Sequence, residues 1–124
     1  MANKYQPGDK DNRPWGSWKV LACGENFCIK EIVVNPQAKL SLQLHHHRSE
    51  HWIITKGTAT ITLGDSIIEK NPFEHIFIDK ETKHRMANLG SQPLEFIEVQ
   101  TGETLDEDDI VRLEDIYNRV SQQK

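Results

Sequence analysis

Between Trp15 and Gln100 the chain is a succession of short apolar or alternating runs, each closed by a turn signal. Phe27 to Val34 is a β-branched run ended by Asn35-Pro36, and Leu40 to His46 alternates on Leu40, Leu42 and Leu44. Trp52 to Thr55 stops at Lys56-Gly57. Thr58 to Leu63 alternates before Gly64-Asp65, a two-residue hairpin signal. Ser66 to Glu69, His75 to Ile78, His84 to Asn88 and Leu94 to Val99 continue the series, punctuated by Asn71-Pro72, Gly90 and Pro93. Many short strands with no helices between them predict an all-β sandwich or small barrel rather than a parallel sheet.

The ends differ. Residues 1–14 are charged, carry Pro7, Gly8 and Pro14, and read as a flexible arm, leaving 15–124 as a single domain. From Asp108 to Val120 the apolar Ile110, Leu113, Tyr117 and Val120 recur at helical spacing. Acidic residues at the start and Arg119 near the end suit the helix dipole. One C-terminal helix on the outside of the barrel is expected.

A length of 124 residues suits one domain, and a net charge of −4 leaves no electrostatic footprint for nucleic acid. No apolar run reaches the roughly 20 residues that span a bilayer, and residues 1–14 lack the apolar stretch of a signal peptide. Cytoplasmic location and no membrane partner are therefore expected. Cys23 and Cys28 fit no zinc-site spacing and read as small apolar side chains.

All six histidines lie from His45 to His84, three of them consecutive. Successive strand residues face opposite ways. If Leu42 and Leu44 pack on one side, Ser41, Gln43, His45 and, if the strand holds its register, His47 share the other. Glu50 then opens the next strand and His84 a later one. A buried face of amide, imidazole and carboxylate is costly unless paired or bound to metal, and those donors suit zinc and similar divalent ions. The alternative for the histidine run is a solvated loop.

The segment PQAKLSLQLHHHRSEHWIITKG, Pro36 to Gly57, resembles the first cupin motif, in which histidine precedes glutamate by five positions and glycine follows by seven. His45, Glu50 and Gly57 match, with Gln43 at the usual first histidine. The second motif is represented by His84 and Asn88, with Asp79 and Glu81 where proline and glycine are usual. RPWGSWKVL, LSLQLHHHRSEHW, LEFIEVQTG and EDDIVRLEDIY are together similar to the type II mannose-6-phosphate isomerase domain, often the C-terminal part of bifunctional guanylyltransferase/isomerase enzymes. The resemblance implies a cupin (double-stranded β-helix) barrel and a metal set of Gln43, His45, Glu50 and His84. It implies one divalent ion, zinc first, with cobalt, manganese or nickel as alternatives. It further implies interconversion of mannose 6-phosphate and fructose 6-phosphate. The glycine-rich nucleotidyltransferase signature is absent, so guanylyltransferase activity is not expected.

Such an isomerase needs a proton carrier, oxyanion stabilisation and a phosphate anchor. Proton-transfer candidates are His47, Glu98, which can face inward with Phe96 and Gln100, and Lys30, which can share a face with Ile32. Arg13, Arg48, Arg85 and Arg112 are the phosphate candidates, because a guanidinium fork matches phosphate oxygens, and Ser41 is a candidate for a sugar hydroxyl. Each also has an ordinary structural reading. The partner expected is a small sugar phosphate, with a homodimer as the assembly. Rival readings are another sugar-phosphate isomerase or epimerase, an iron dioxygenase, and a non-catalytic metal- or sugar-binding cupin.

Overall fold

The structure is a computed structural model that describes residues 5–106 and 108–114. Period-two alternation of apolar and polar residues builds two antiparallel sheets. The larger contains β1 (Lys10–Arg13), β2 (Gly16–Cys23), β3 (Phe27–Val34), β5 (Ser49–Lys56), β8 (His75–Ile78) and β10 (Leu94–Thr101) in the order β1-β2-β3-β10-β5-β8. The smaller contains β4 (Leu42–Leu44), β6 (Ala59–Leu63), β7 (Ser66–Lys70), β9 (His84–Ala87) and β11 (Val111–Glu114) in the order β11-β4-β9-β6-β7. Buried side chains from both sheets form one cluster, so the sheets pack face to face as the expected barrel. No helix among the described residues is long and apolar enough to cross a membrane.

The inward faces of the three central strands are layered by register. Phe96 of β10 lies between Ile32 of β3 and Ile54 of β5. The next inward position sets Glu98 between Lys30 and Trp52, and the next sets Gln100 between Cys28 and Glu50. One end of the barrel is therefore filled by Val34, Ile54, Ile61, Met86, Leu94 and Phe96, and the other by polar groups. Burying each large apolar side chain contributes about 1.5–3 kcal/mol, which holds the frame in which the polar end is displayed. Gly57, between β5 and β6, has φ +85°, and a Cβ there would lie 3.2 Å from the Leu94 Cα. Left-handed backbone and this close approach both select glycine.

Two expectations are corrected. Over its described part, the arm is not loose: Lys10–Arg13 pairs with β2 and Tyr5 is buried against Trp18. At the other end, Val111–Glu114 is a strand paired with β4, where a helix was expected. Pairing satisfies the open edge of β4, whose backbone groups would otherwise lack partners, and this outweighs a short helical periodicity. The remainder of that expected helix, residues 115–120, lies outside the described residues.

Candidate metal centre

Gln43 and His84 are directly opposed partners of β4 and β9, His45 follows β4, and Glu50 sits at the start of β5. All four are buried at the polar end. His45 Nε2 lies 3.3 Å from Glu50 Oε2, and His84 Nε2 lies 3.9 Å from Glu50 Oε1. One ligand atom from each of His45, Glu50 and His84 falls within 4.8 Å of the others, and no other such group occurs among the described residues.

The hydrogen bonds set the ring tautomers. His45 Nδ1 meets the Asp109 carbonyl at 2.6 Å, and His84 Nδ1 meets the Thr82 carbonyl at 2.9 Å. A carbonyl only accepts, so both Nδ1 atoms carry the proton and both Nε2 lone pairs point inward. His84 Nε2 is buried without a hydrogen-bond partner. Burial, reinforced by the Arg48 charge and outweighing the attraction of Glu50, lowers the His45 pKa to about 4. Burial also lowers that of His84. Both rings are neutral at neutral pH, as ligation requires. Although burial opposes ionisation, His45 and Arg48 hold the Glu50 carboxyl well below the usual range. Two imidazole nitrogens and a carboxylate converging on a buried gap fit a first-row divalent ion.

Supporting groups fix each donor. Ser41 Oγ donates to Gln43 Oε1 at 2.9 Å, and Arg48 Nε donates to Glu50 Oε2 at 2.8 Å. Trp52 Nε1 donates to Glu50 Oε1 at 3.0 Å and to Glu98 Oε1 at 3.1 Å, and Gln100 Nε2 donates to Glu98 Oε2 at 2.8 Å. Asp109 accepts from the backbone N–H groups of His46 and His47, both at 2.9 Å. The segment bearing His45 is thus clamped through both the carbonyl and the carboxylate of one residue. Sequence reasoning missed Asp109, because the acidic run around it reads as a helix start.

One pocket opens beside Gln43 and Glu50. Lys30, Arg48 and Glu98 line it together with Arg13 and Arg112, and Tyr5, Trp15, Trp18, Ile32, Leu40 and Ile110 supply its apolar wall. Burial, with the charge of Glu50, raises the Glu98 pKa to about 7. Burial, with Arg48, lowers that of Lys30 to about 8 despite the opposing pull of Glu98. Lys30 Nζ stands 4.1 Å from the Tyr5 ring centroid and 4.2 Å from that of Trp18, a cation–π cage that sequence spacing gives no means to find.

Other expected site residues lie elsewhere. The strand before His45 ends at Leu44 and the chain bends at 46 and 47, so alternation stops and His47 is exposed on an outer groove with His46. Arg85 follows inward His84, so it turns outward and bonds the Leu40 carbonyl and Glu114. Ser41 faces Gln43 and is not among the residues lining the pocket. His51 and His75 meet on the outer face at 3.0 Å. Asn88 ties the opposite end of the barrel, donating to the Val34 and Gln92 carbonyls.

The family model described as "Mannose-6-phosphate isomerase C-terminal" matches residues 2–115. The xanthan biosynthesis protein XanB of Xanthomonas campestris pv. campestris (strain B100) is 50% identical over 107 residues, covering 86% of this chain and 23% of that protein. The alginate biosynthesis protein AlgA of Pseudomonas aeruginosa is 49% identical over 110 residues, covering 89% of this chain and 23% of that protein. The chain therefore spans under a quarter of the length of these relatives. Among solved structures, the capsular polysaccharide assembling protein CapF of Staphylococcus aureus superposes with a TM-score of 0.74 at 21% identity, over 89% of this chain and 33% of that one. The cupin domain of Schizosaccharomyces pombe Cnp3 gives 0.67 at 11% identity, over 69% of this chain and 64% of that one. These two likenesses establish the cupin fold.

Proposed function

The chain belongs to the mannose-6-phosphate isomerase C-terminal family, and from that premise we propose that it is a metal-dependent aldose–ketose isomerase interconverting mannose 6-phosphate and fructose 6-phosphate. The observation that carries this reading is a single pocket whose lining combines Gln43 and Glu50 with Lys30, Glu98 and two arginines, Arg13 and Arg112.

Gln43, His45, Glu50 and His84 would hold the ion, and a divalent ion of the zinc type bound there would supply Lewis-acid polarisation of sugar oxygens. The reaction moves one proton between C2 and C1, which Glu98 carries, and a second between O2 and O1, which Lys30 relays. The Glu98 carboxyl is oriented by Trp52 and Gln100 and opposed to Lys30 in the β3–β10 register. The Lys30 ammonium stabilises negative charge that develops on the sugar oxygens. Arg13 and Arg112 bind the phosphate, and Trp15 and Trp18 exclude water from the reacting carbons. Arg48 holds Glu50 in place and is kept from the substrate role by that pairing. His47 has no part in the chemistry.

A coupled assay of fructose 6-phosphate formation tests this, with and without chelator and with zinc, cobalt, manganese or nickel restored. Turnover is expected to vanish with chelator, return with metal, and be lost in Gln43→Ala and His45→Ala. Glu98→Gln is expected to lower kcat by about 100-fold or more with metal content unchanged. A folded, metal-loaded chain that turns over a different sugar phosphate, or none, sinks the assignment.

A further inference from the structure

Cys23 ends β2, Cys28 is the second residue of β3, and the register places them directly opposite each other at the close of that hairpin. Both are free thiols. The Gly24 N–H donates to the Phe27 carbonyl at 3.0 Å and closes the turn. The next opposed pair along the ladder is of the kind that exchanges no backbone bonds, with Cα atoms roughly 4.5 Å apart and side chains on one face. That separation falls inside the range of about 4.4–6.8 Å that a disulfide spans. Cys28 is fully buried, and Cys23 packs half-buried against the same core.

Cys23 has a second engagement. Its Sγ–H donates to the Tyr5 carbonyl at 3.1 Å, and the Tyr5 ring is one wall of the Lys30 cage. The thiol hydrogen therefore ties the end of the hairpin to the segment that lines the pocket.

We propose that Cys23 and Cys28 are a reversible oxidation site, closed to a cross-strand disulfide by a low-molecular-weight disulfide, and that closure releases the Tyr5 carbonyl beside the pocket. The half-buried Cys23 thiolate attacks one sulfur of the oxidant, forming a mixed disulfide and expelling a thiolate. The Cys28 thiolate then attacks Cys23 Sγ, forming the intramolecular bond and expelling the second thiolate. The two protein sulfurs are oxidised, the two oxidant sulfurs are reduced, and the two protons end on the released thiols. Burial raises the Cys28 pKa to about 11, which lowers the share of thiolate available for the second step.

The test uses the full chain in mildly alkaline buffer with oxidised glutathione, followed by acid quench, alkylation and peptide mapping. Loss of both free thiols into one intramolecular disulfide, reversed by dithiothreitol and absent in Cys23→Ser, is expected. Faster hydrogen exchange across residues 5–9 is expected in the oxidised form. Persistence of both thiols at saturating oxidant in the folded protein overturns the proposal. So does a stable glutathione adduct on Cys23 with Cys28 still free, or a disulfide formed only in denaturant. A disulfide that forms while exchange at residues 5–9 stays unchanged refutes the coupling to Tyr5. These outcomes are read without any enzyme assay and stand apart from the isomerase test.

Discussion

At position 81 the chain holds a glutamate with φ +64°, in the left-handed region where the resembled motif has glycine. The turn forms all the same: the Glu81 N–H reaches the His45 carbonyl at 2.7 Å, and Thr82 closes back on Asp79. Left-handed backbone costs an L-residue roughly 1–2 kcal/mol, while glycine returns about 0.5–1 kcal/mol of that through the freer unfolded chain. Glu81→Gly is therefore expected to leave stability unchanged or raise it by up to about 1.5 kcal/mol. Glu81→Val, β-branched at positive φ, is expected to lower it by at least about 1 kcal/mol. Denaturant unfolding of the two variants reads the difference, and equal midpoints would refute strain at this turn. At the same scale, alternation explains why Lys30 and Glu98 face inward as expected while Arg85 faces out. His47 escapes that logic because its strand has already ended.

The strap from Leu105 to β11 is the element that most changes how the site is understood. Leu105 is fully buried, Asp109 clamps the segment bearing His45, Ile110 and Arg112 line the pocket, and β11 extends the sheet through β4. Replacing Asp109 with Ala leaves two backbone N–H groups without their acceptor, at a cost of about 1–3 kcal/mol. The His45 bond to the carbonyl at position 109 survives the substitution, but the segment that carries the ring loses its carboxylate clamp. We expect Asp109→Ala to weaken metal binding by about 10- to 100-fold, read by isothermal titration, with the far-ultraviolet spectrum retained. Unchanged affinity in a folded variant would reduce the strap to packing. Isolated periodicity does not reveal this element, because apolar residues at 110 and 113 suit a helix until an open strand edge competes for the backbone.

For the whole molecule, layering along the barrel divides labour. Phe96 and its neighbours supply the frame, and the opposite end gathers Gln43, His45, Glu50 and His84 around a gap that contains an unpartnered imidazole nitrogen. A ligand that binds only the folded state stabilises it by mass action, by about 2.7 kcal/mol at a free concentration 100 times its Kd. Zinc at that excess is expected to raise Tm on the order of 10 °C, and chelator is expected to reverse the rise. His84→Ala is expected to abolish the shift, and a Tm insensitive to metal would count against the centre. The sequence by itself determined the all-β architecture, which follows from period-two alternation and local turn residues acting over a few positions. The same alternation allowed Gln43, His45, Lys30 and Glu98 to face inward. Glu50 and His84 join Gln43 and His45 as a ligand set through the resemblance to the cupin motifs. Only the tertiary structure decided that residues 10–13 and 111–114 are strands, that Asp109 clamps the ligand segment, that Tyr5 and Trp18 cage Lys30, and that Cys23 faces Cys28. Those contacts join segments whose meeting depends on which edge lies open and which register closes the barrel, and no local pattern encodes either.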